Sequence, residues 1–68
     1  MIVKDVKNNT VCMIEPETGI VSLKYKGLQV DFVLPIGSTY RVIRNSTETI
    51  IYHRGASDYK IDSSINNK

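Results

Sequence analysis

The sequence predicts an all-β protein, a small antiparallel meander of five to seven short strands curled into an SH3-like or OB-like barrel or roll. Two observations support this class. No window holds a sustained helical period of apolar residues, and short β-branched and aromatic runs alternate with turn residues along the 68-residue chain. The expected strands lie near residues 1–7, 10–15, 20–26, 28–34, 39–45, 48–54 and 57–61. We expect a single domain over residues 1–62 and a frayed polar tail over 63–68.

Two turn sequences separate the first three expected strands. Asn8 and Asn9 suit a tight turn because asparagine tolerates positive φ. The stretch "EPETG" (15–19) places a proline and a glycine where a four-residue loop needs them. The cross-strand pairs that these turns predict are Val3 with Ile14, Val6 with Val11, Ile14 with Val21, and Cys12 with Leu23.

The stretch "SLKYKGLQVDF" predicts the next hairpin most sharply. If residues 26–27 form a two-residue loop, Tyr25 lies opposite Leu28 and the apolar residues fall on one face. The other face then pairs Lys24 with Gln29. A slip of one residue would reverse the faces, so the pattern specifies the register.

The last strands follow a corner at "LPIGS" (34–38), where the proline removes a ladder donor and the glycine permits a sharp bend. A turn at residues 46–47 joins the fifth and sixth strands. The pairs that it predicts are Ile43 with Ile50, Val42 with Ile51, Arg41 with Tyr52, and Tyr40 with His53.

The apolar pattern predicts that the protein associates with itself or with a protein partner. A domain of 68 residues is marginal alone, and one cysteine and one histidine provide neither an internal disulfide nor a zinc site. Several strands carry apolar residues on both faces, and one small interior covers only one. The alternative is a sandwich that covers both faces internally. The expected interface residues are Val6, Val11, Met13, Ile43 and Ile50.

Composition predicts a cytoplasmic protein of bacterial or phage type. The lone Cys12 indicates a reducing compartment, and Lys4, Asp5 and Lys7 interrupt the apolar run of a signal peptide. No apolar stretch is long enough to span a membrane. Lysine outnumbers arginine, and asparagine and isoleucine are frequent. The net charge of +2 and pI near 8.8 permit an anionic partner without requiring one.

The sequence predicts a non-catalytic protein without a cofactor or metal. Cys12 lies in the apolar stretch "VCMI", which is typical of a structural cysteine. His53 is the sole imidazole, and a solvated or hydrogen-bonded role is more common than general-base catalysis. The carboxylates follow no calcium-binding spacing, and no phosphate-loop, dinucleotide or zinc-protease motif is present.

A second interpretation is an anion-binding patch. Tyrosines stand beside cations along the chain, as in single-strand nucleic-acid binders. Tyr25 is expected to point inward and to lie away from the flanking lysines. The alternative is that these charged side chains are simply solvated and contribute only cross-strand contacts. The candidate ligand-binding residues are Tyr40, Arg41, Arg44, Tyr52, His53 and Arg54, with Lys24 and Lys26.

Two function hypotheses follow. The first is a homo-oligomeric protein-interaction or inhibitor module that docks through its apolar outer face and edge strands. The alternative is a binder of RNA, single-stranded DNA or a small signalling nucleotide, with an intersubunit cleft as one candidate location for the patch.

Overall fold

The computed structural model describes residues 1–66, and it confirms the all-β class. All seven expected strands are present, and no helix occurs among these residues. The strands are β1 Ile2–Lys4, β2 Thr10–Glu15, β3 Ile20–Tyr25, β4 Leu28–Val33, β5 Thr39–Arg44, β6 Thr47–Gly55 and β7 Asp58–Ile65.

The strands form two antiparallel sheets that follow chain order. The first sheet has four strands in the order β1-β2-β3-β4, and the second has three in the order β5-β6-β7. No strand pairing between the sheets closes them into a barrel within residues 1–66. The closed form that the sequence predicted is therefore not confirmed. We call the face that each sheet turns toward the other its inner face.

The β3–β4 hairpin has the predicted register. Tyr25 pairs with Leu28 and Lys24 pairs with Gln29. Lys26 and Gly27 both have positive φ, at 47° and 82°. This is the geometry of a type I′ turn, whose twist matches that of the flanking strands. Local turn chemistry and the alternation of side chains therefore determine this hairpin together.

The β5–β6 register differs from the prediction by two residues. The turn residues are Asn45 and Ser46, both at positive φ, so the turn falls one residue earlier than predicted. Ile43 consequently pairs with Glu48 rather than with Ile50. Because a two-residue shift preserves the faces, each side chain still lies on its predicted side.

The first hairpin also departs from the prediction, because β1 ends early at Lys4. The carboxylate of Asp5 accepts hydrogen bonds from the backbone N–H groups of Lys7 and Asn9, each at 2.9 Å. This turn displaces the register, so Val3 pairs with Cys12. The predicted pairs Val3 with Ile14 and Val6 with Val11 are wrong, whereas Ile14 with Val21 is confirmed.

The core lies between the two inner faces. The first sheet contributes most of its buried side chains, and Ile51 on β6 is fully buried opposite them. The buried core residues are Val3, Val11, Cys12, Ile14, Val21, Leu34 and Ile51. The inner face of the second sheet also buries Thr49, whose Oγ1 lies 3.1 Å from Ser63 Oγ.

The C-terminal strand is longer than predicted. Residues 63–65, which the sequence assigned to a frayed tail, are the last residues of β7. Ser63 Oγ also accepts a hydrogen bond from the Val6 backbone N–H at 3.0 Å. Residues 67–68 of the predicted tail lie outside the described residues.

Gly27→Ala should lower the free energy of unfolding by about 1 kcal/mol, because a side chain at this positive φ is strained. A Cβ at Gly27 meets no atom within 4 Å, so the effect would be that of the backbone alone. Gly55→Ala is the matched control, since its Cβ would make only an ordinary contact and its φ is not in the strained range. Urea denaturation measures both, and equal stability of the two variants would contradict the turn assignment.

Asp5 should make stability fall in acid. The backbone N–H of Asn9 is the main cause that lowers the pKa of Asp5, and burial opposes it. A folded-state pKa below the unfolded value of about 3.9 adds stability above that pH. This stability is lost as the pH falls through the folded pKa. Thermal denaturation from neutral pH downward should show a weaker acid dependence in Asp5→Asn, whereas the exposed Asp62→Asn should behave like the wild type.

Candidate binding site

An open cleft of about 460 Å³ lies at one end of the molecule, between the ends of β3 and β5. Its floor is apolar and its rim is polar and cationic, as is common in ligand sites. The lining residues are Val11, Leu23, Lys24, Tyr25, Val42, Ile43, Arg44 and Asn45. We refer to this site as the cleft.

Tyr25 is the centre of a cationic cluster beside the cleft. Its ring has the Lys26 ammonium nitrogen 5.4 Å from the centroid and the Arg44 guanidinium carbon also at 5.4 Å. Both distances fall within the range of a cation–π contact. Arg44 also donates from Nη1 to the Thr10 carbonyl at 3.2 Å, which ties β5 to the start of β2. Tyr25 lies across from Leu28 on the inner face, as predicted. The expectation that it lies away from the lysines is wrong, because this part of the face is uncovered, 53% of the residue is exposed, and Lys26 contacts its ring.

Ion pairing separates the predicted cations into two groups. Arg41 contacts Glu48 at 3.2 Å, and Arg54 contacts Asp58 at 2.9 Å, so neighbouring carboxylates neutralise both arginines. Among residues 1–66, the cations around the cleft have no carboxylate partner within ion-pair distance. These cations are Lys24, Lys26 and Arg44. Uncompensated positive charge therefore accumulates at the cleft.

The remaining members of the predicted patch lie on opposite faces of the second sheet. Arg41 and Tyr52 are exposed on the outer face, and Tyr40 and His53 lie on the inner face. Tyr52 pairs with Thr39, not with Arg41 as predicted. Because successive residues of a strand alternate between faces, no single surface collects these four side chains.

His53 belongs to the core corner. The residue is buried, with only 4% of its surface exposed. Nδ1 lies 2.7 Å from the Leu34 carbonyl, and the ring stacks on Tyr59 with centroids 4.2 Å apart. Tyr40 likewise packs on Phe32, with ring centroids at 4.7 Å. Both predicted ligand residues are occupied by these internal contacts.

The β4 strand forms a second exposed feature. Five of its six residues are exposed, and Phe32 is half-buried. Leu28 is 63% exposed and Val30 is 44% exposed, although both lie on the inner face. The three-stranded sheet does not extend over this part of the four-stranded sheet. We call Tyr25, Leu28 and Val30 together the uncovered tip.

The predicted interface residues are not uniformly available. Val6, Met13 and Ile43 are exposed, and Ile50 is half-buried. Val11 is buried in the core and contributes to the floor of the cleft, so its inclusion in an outer surface is corrected. A β-bulge explains this difference. Val3 pairs with Cys12 and Lys4 pairs with Thr10, so Val11 is the extra residue between them, and both Val11 and Cys12 are buried.

Nucleophilic and metal-binding arrangements are not assembled in the described region. Burial raises the pKa of the Cys12 thiol to about 11, so the thiol stays protonated at neutral pH. No group of three His, Cys, Asp or Glu side chains in residues 1–66 could hold a metal ion.

Sequence reasoning missed the uncovered tip as a surface. The alternation in "SLKYKGLQVDF" correctly predicts one apolar face of the hairpin. It does not indicate whether another part of the protein covers that face. The available signal was the strand count: four strands precede the corner and three follow it. A three-stranded layer leaves part of a four-stranded one uncovered.

Comparisons with protein-family models, with curated proteins and with solved structures found no match for this chain. Within the described part of the chain, no helix is long and apolar enough to cross a membrane.

Proposed function

We propose that this domain is a non-catalytic, homo-oligomeric protein-interaction module of bacterial or phage type that works in the cytoplasm. Its binding surface is the free edge of β4 together with the uncovered tip. The observation that supports it best is an exposed, apolar and unprotected edge strand. An inhibitor that blocks a partner by the same contact is included in this proposal.

The edge of β4 lacks the features that usually protect strand edges. Natural sheets shorten their edge strands or place lysine, proline or bulges on them. Here β1 has only three residues, β5 carries Arg41 and Arg44, and β7 carries Lys60. In contrast, β4 has six residues, a single charge at Asp31, and no register shift against β3.

The backbone of β4 offers a regular row of hydrogen-bonding groups. A type I′ turn closes with a hydrogen bond from Leu28 N–H to the Tyr25 carbonyl, which directs Leu28 toward β3. Directions alternate along a strand, so Gln29, Asp31 and Val33 turn their N–H and C=O groups outward. An added strand can satisfy this row, which is the recognition mode called β-augmentation.

The uncovered tip adds apolar area beside that row. Leu28 and Val30 lie on the same face of β4, and Tyr25 lies directly across from Leu28 on β3. A strand added to β4 would extend this face, and its own apolar side chains would cover part of the tip. Backbone pairing would provide affinity, and the side chains would provide specificity.

Val30→Lys should abolish association while the chain remains folded, because a charge would be placed in the apolar strip of the added strand. Ile36→Lys is the matched control, since Ile36 is 62% exposed in the loop before β5. Sedimentation velocity over a concentration series should show an oligomer for the wild type and for Ile36→Lys, and a folded monomer for Val30→Lys. A wild type that sediments as a monomer throughout would refute the homo-oligomer. Loss of association in Ile43→Lys but not in Val30→Lys would move the interface to the outer face of β5.

A second candidate function is the binding of an anionic nucleotide in the cleft. The observation that favours it is the Tyr25 ring beside Arg44 and two lysines that lack carboxylate partners. An aromatic ring can stack on a base while the cations contact phosphate. The cleft volume of about 460 Å³ falls within the range of small-molecule sites.

A panel of mononucleotides, cyclic dinucleotides and short single-stranded oligonucleotides tests this candidate by thermal shift, because a ligand of the native state raises the melting temperature. The shift should shrink with added salt and should be lost in Tyr25→Leu and Lys26→Gln. Arg54→Gln is the control and should keep the shift, since Arg54 is paired with Asp58. The absence of a shift across the panel, or equal loss in the control, would remove this function.

A further inference from the structure

We propose that a second copy of this chain completes the β4 edge, in an antiparallel pairing whose two-fold axis passes beside Val30. The result is a continuous eight-stranded sheet made of two four-stranded sheets. This inference rests on the proposed interaction through β4, and it adds the antiparallel two-fold symmetry and the register of the pairing.

Backbone direction restricts the registers that two β4 strands can adopt. The outward groups belong to Gln29, Asp31 and Val33. The next residue, Leu34, should then point inward, and its N–H does donate to the Gly19 carbonyl at 2.8 Å. In an antiparallel pair, outward residues must face outward residues. The two-fold axis must therefore pass beside a residue of β4. Val30 and Asp31 lie nearest the centre of the strand, and Gln29 is the next choice toward the turn.

Side-chain chemistry separates these three choices. An axis beside Asp31 places the carboxylates of the two copies directly opposite each other, which is unfavourable. An axis beside Gln29 places Asp31 opposite the turn residue Gly27 and leaves Val33 beyond the pairing. An axis beside Val30 gives a longer overlap than an axis beside Gln29 and, unlike an axis beside Asp31, places no like charges opposite each other.

On the outer face, the Val30 register pairs Gln29 of each copy with Asp31 of the other. The Gln29 side-chain amide already donates to its own Asp31 carboxylate at 3.2 Å, so the two groups have the geometry and polarity to bond. Lys24 lies across from Gln29 in the same row. The incoming carboxylate thus enters a row that carries a cation without an acidic partner among residues 1–66.

On the inner face, the same register pairs apolar residues with apolar residues. Val30 faces Val30 of the second copy, and Leu28 faces Phe32 of the second copy. Leu28 and Val30 are the exposed inner-face residues of β4, so the pairing covers side chains that the three-stranded sheet leaves open. The polar pairs and the apolar pairs therefore select one register on both faces.

A cysteine scan tests the register. Only the residue at the axis faces its own copy, and a non-hydrogen-bonded antiparallel pair places the two Cα atoms about 4.5 Å apart, within disulfide range. Under mild oxidation, Val30→Cys should form a disulfide-linked dimer at least tenfold faster than Gln29→Cys or Asp31→Cys. The native Cys12 is buried and should not contribute. Fastest cross-linking at Gln29→Cys or Asp31→Cys would overturn the register.

A charge swap tests the polar pairs independently. Gln29→Asp places an acid opposite Asp31 of the second copy at two symmetric sites, and it should weaken association about tenfold. The double variant Gln29→Asp with Asp31→Gln exchanges the groups and should restore association to near the wild-type level. Equal weakening in the single and double variants would overturn the pairing of these residues.

The two proposals fail in different ways. Suppose that the wild type associates, that Val30→Lys does not, and that Val30→Cys forms no fast disulfide. This result would support the interaction module and overturn the two-fold pairing. A wild type that is monomeric at every concentration overturns the homo-oligomer and this pairing together.

Discussion

The packing of a three-stranded sheet on a four-stranded one determines which apolar side chains of this protein are buried and which stay exposed. Burial between the sheets provides the main stabilising term, and it reaches Ile14, Val21 and Ile51 fully. It does not reach the distal part of β4, whose residues have the same apolar alternation. The difference of one strand therefore accounts both for the buried core between the sheets and for the exposed apolar residues at its margin.

The sequence was sufficient for the fold class, the strands and one hairpin register. Those features depend on local chemistry: β-branched runs, a glycine that accepts positive φ, and strict alternation around the turn at residues 26–27. The β5–β6 register was not predicted, because Asn45-Ser46 and Ser46-Thr47 are both plausible turn pairs by composition. Pro35 and Gly37 correctly marked the corner between the two sheets, but whether the sheets also pair into a closed barrel depends on packing between distant strands, which no local pattern encodes.

The candidate site was predicted only in part. Lys24, Lys26 and Arg44 were named as cations, and the structure brings them to the cleft. Their association with Tyr25 was not foreseen, because the ring lies on an apolar face that the second sheet fails to cover. His53 is the opposite case: its position beside cations placed it among the candidate ligand residues, but its ring bonds the Leu34 carbonyl in the core, which is the hydrogen-bonded role that the sequence also allows. Sequence position indicates which charges exist, whereas tertiary packing determines which of them stay uncompensated.

The type I′ turns at residues 26–27 and 45–46 lie beside the cleft: Tyr25, which precedes the first turn, and Asn45, which begins the second, both line it. Each has only two residues, both held at positive φ by the strands that flank them, so neither rim can rearrange as a long loop does. The opening between them is therefore set by backbone geometry. Turns at sheet ends accept insertions at small cost to stability. Changes of turn length would thus alter the width of the cleft while the sheets beneath stay the same.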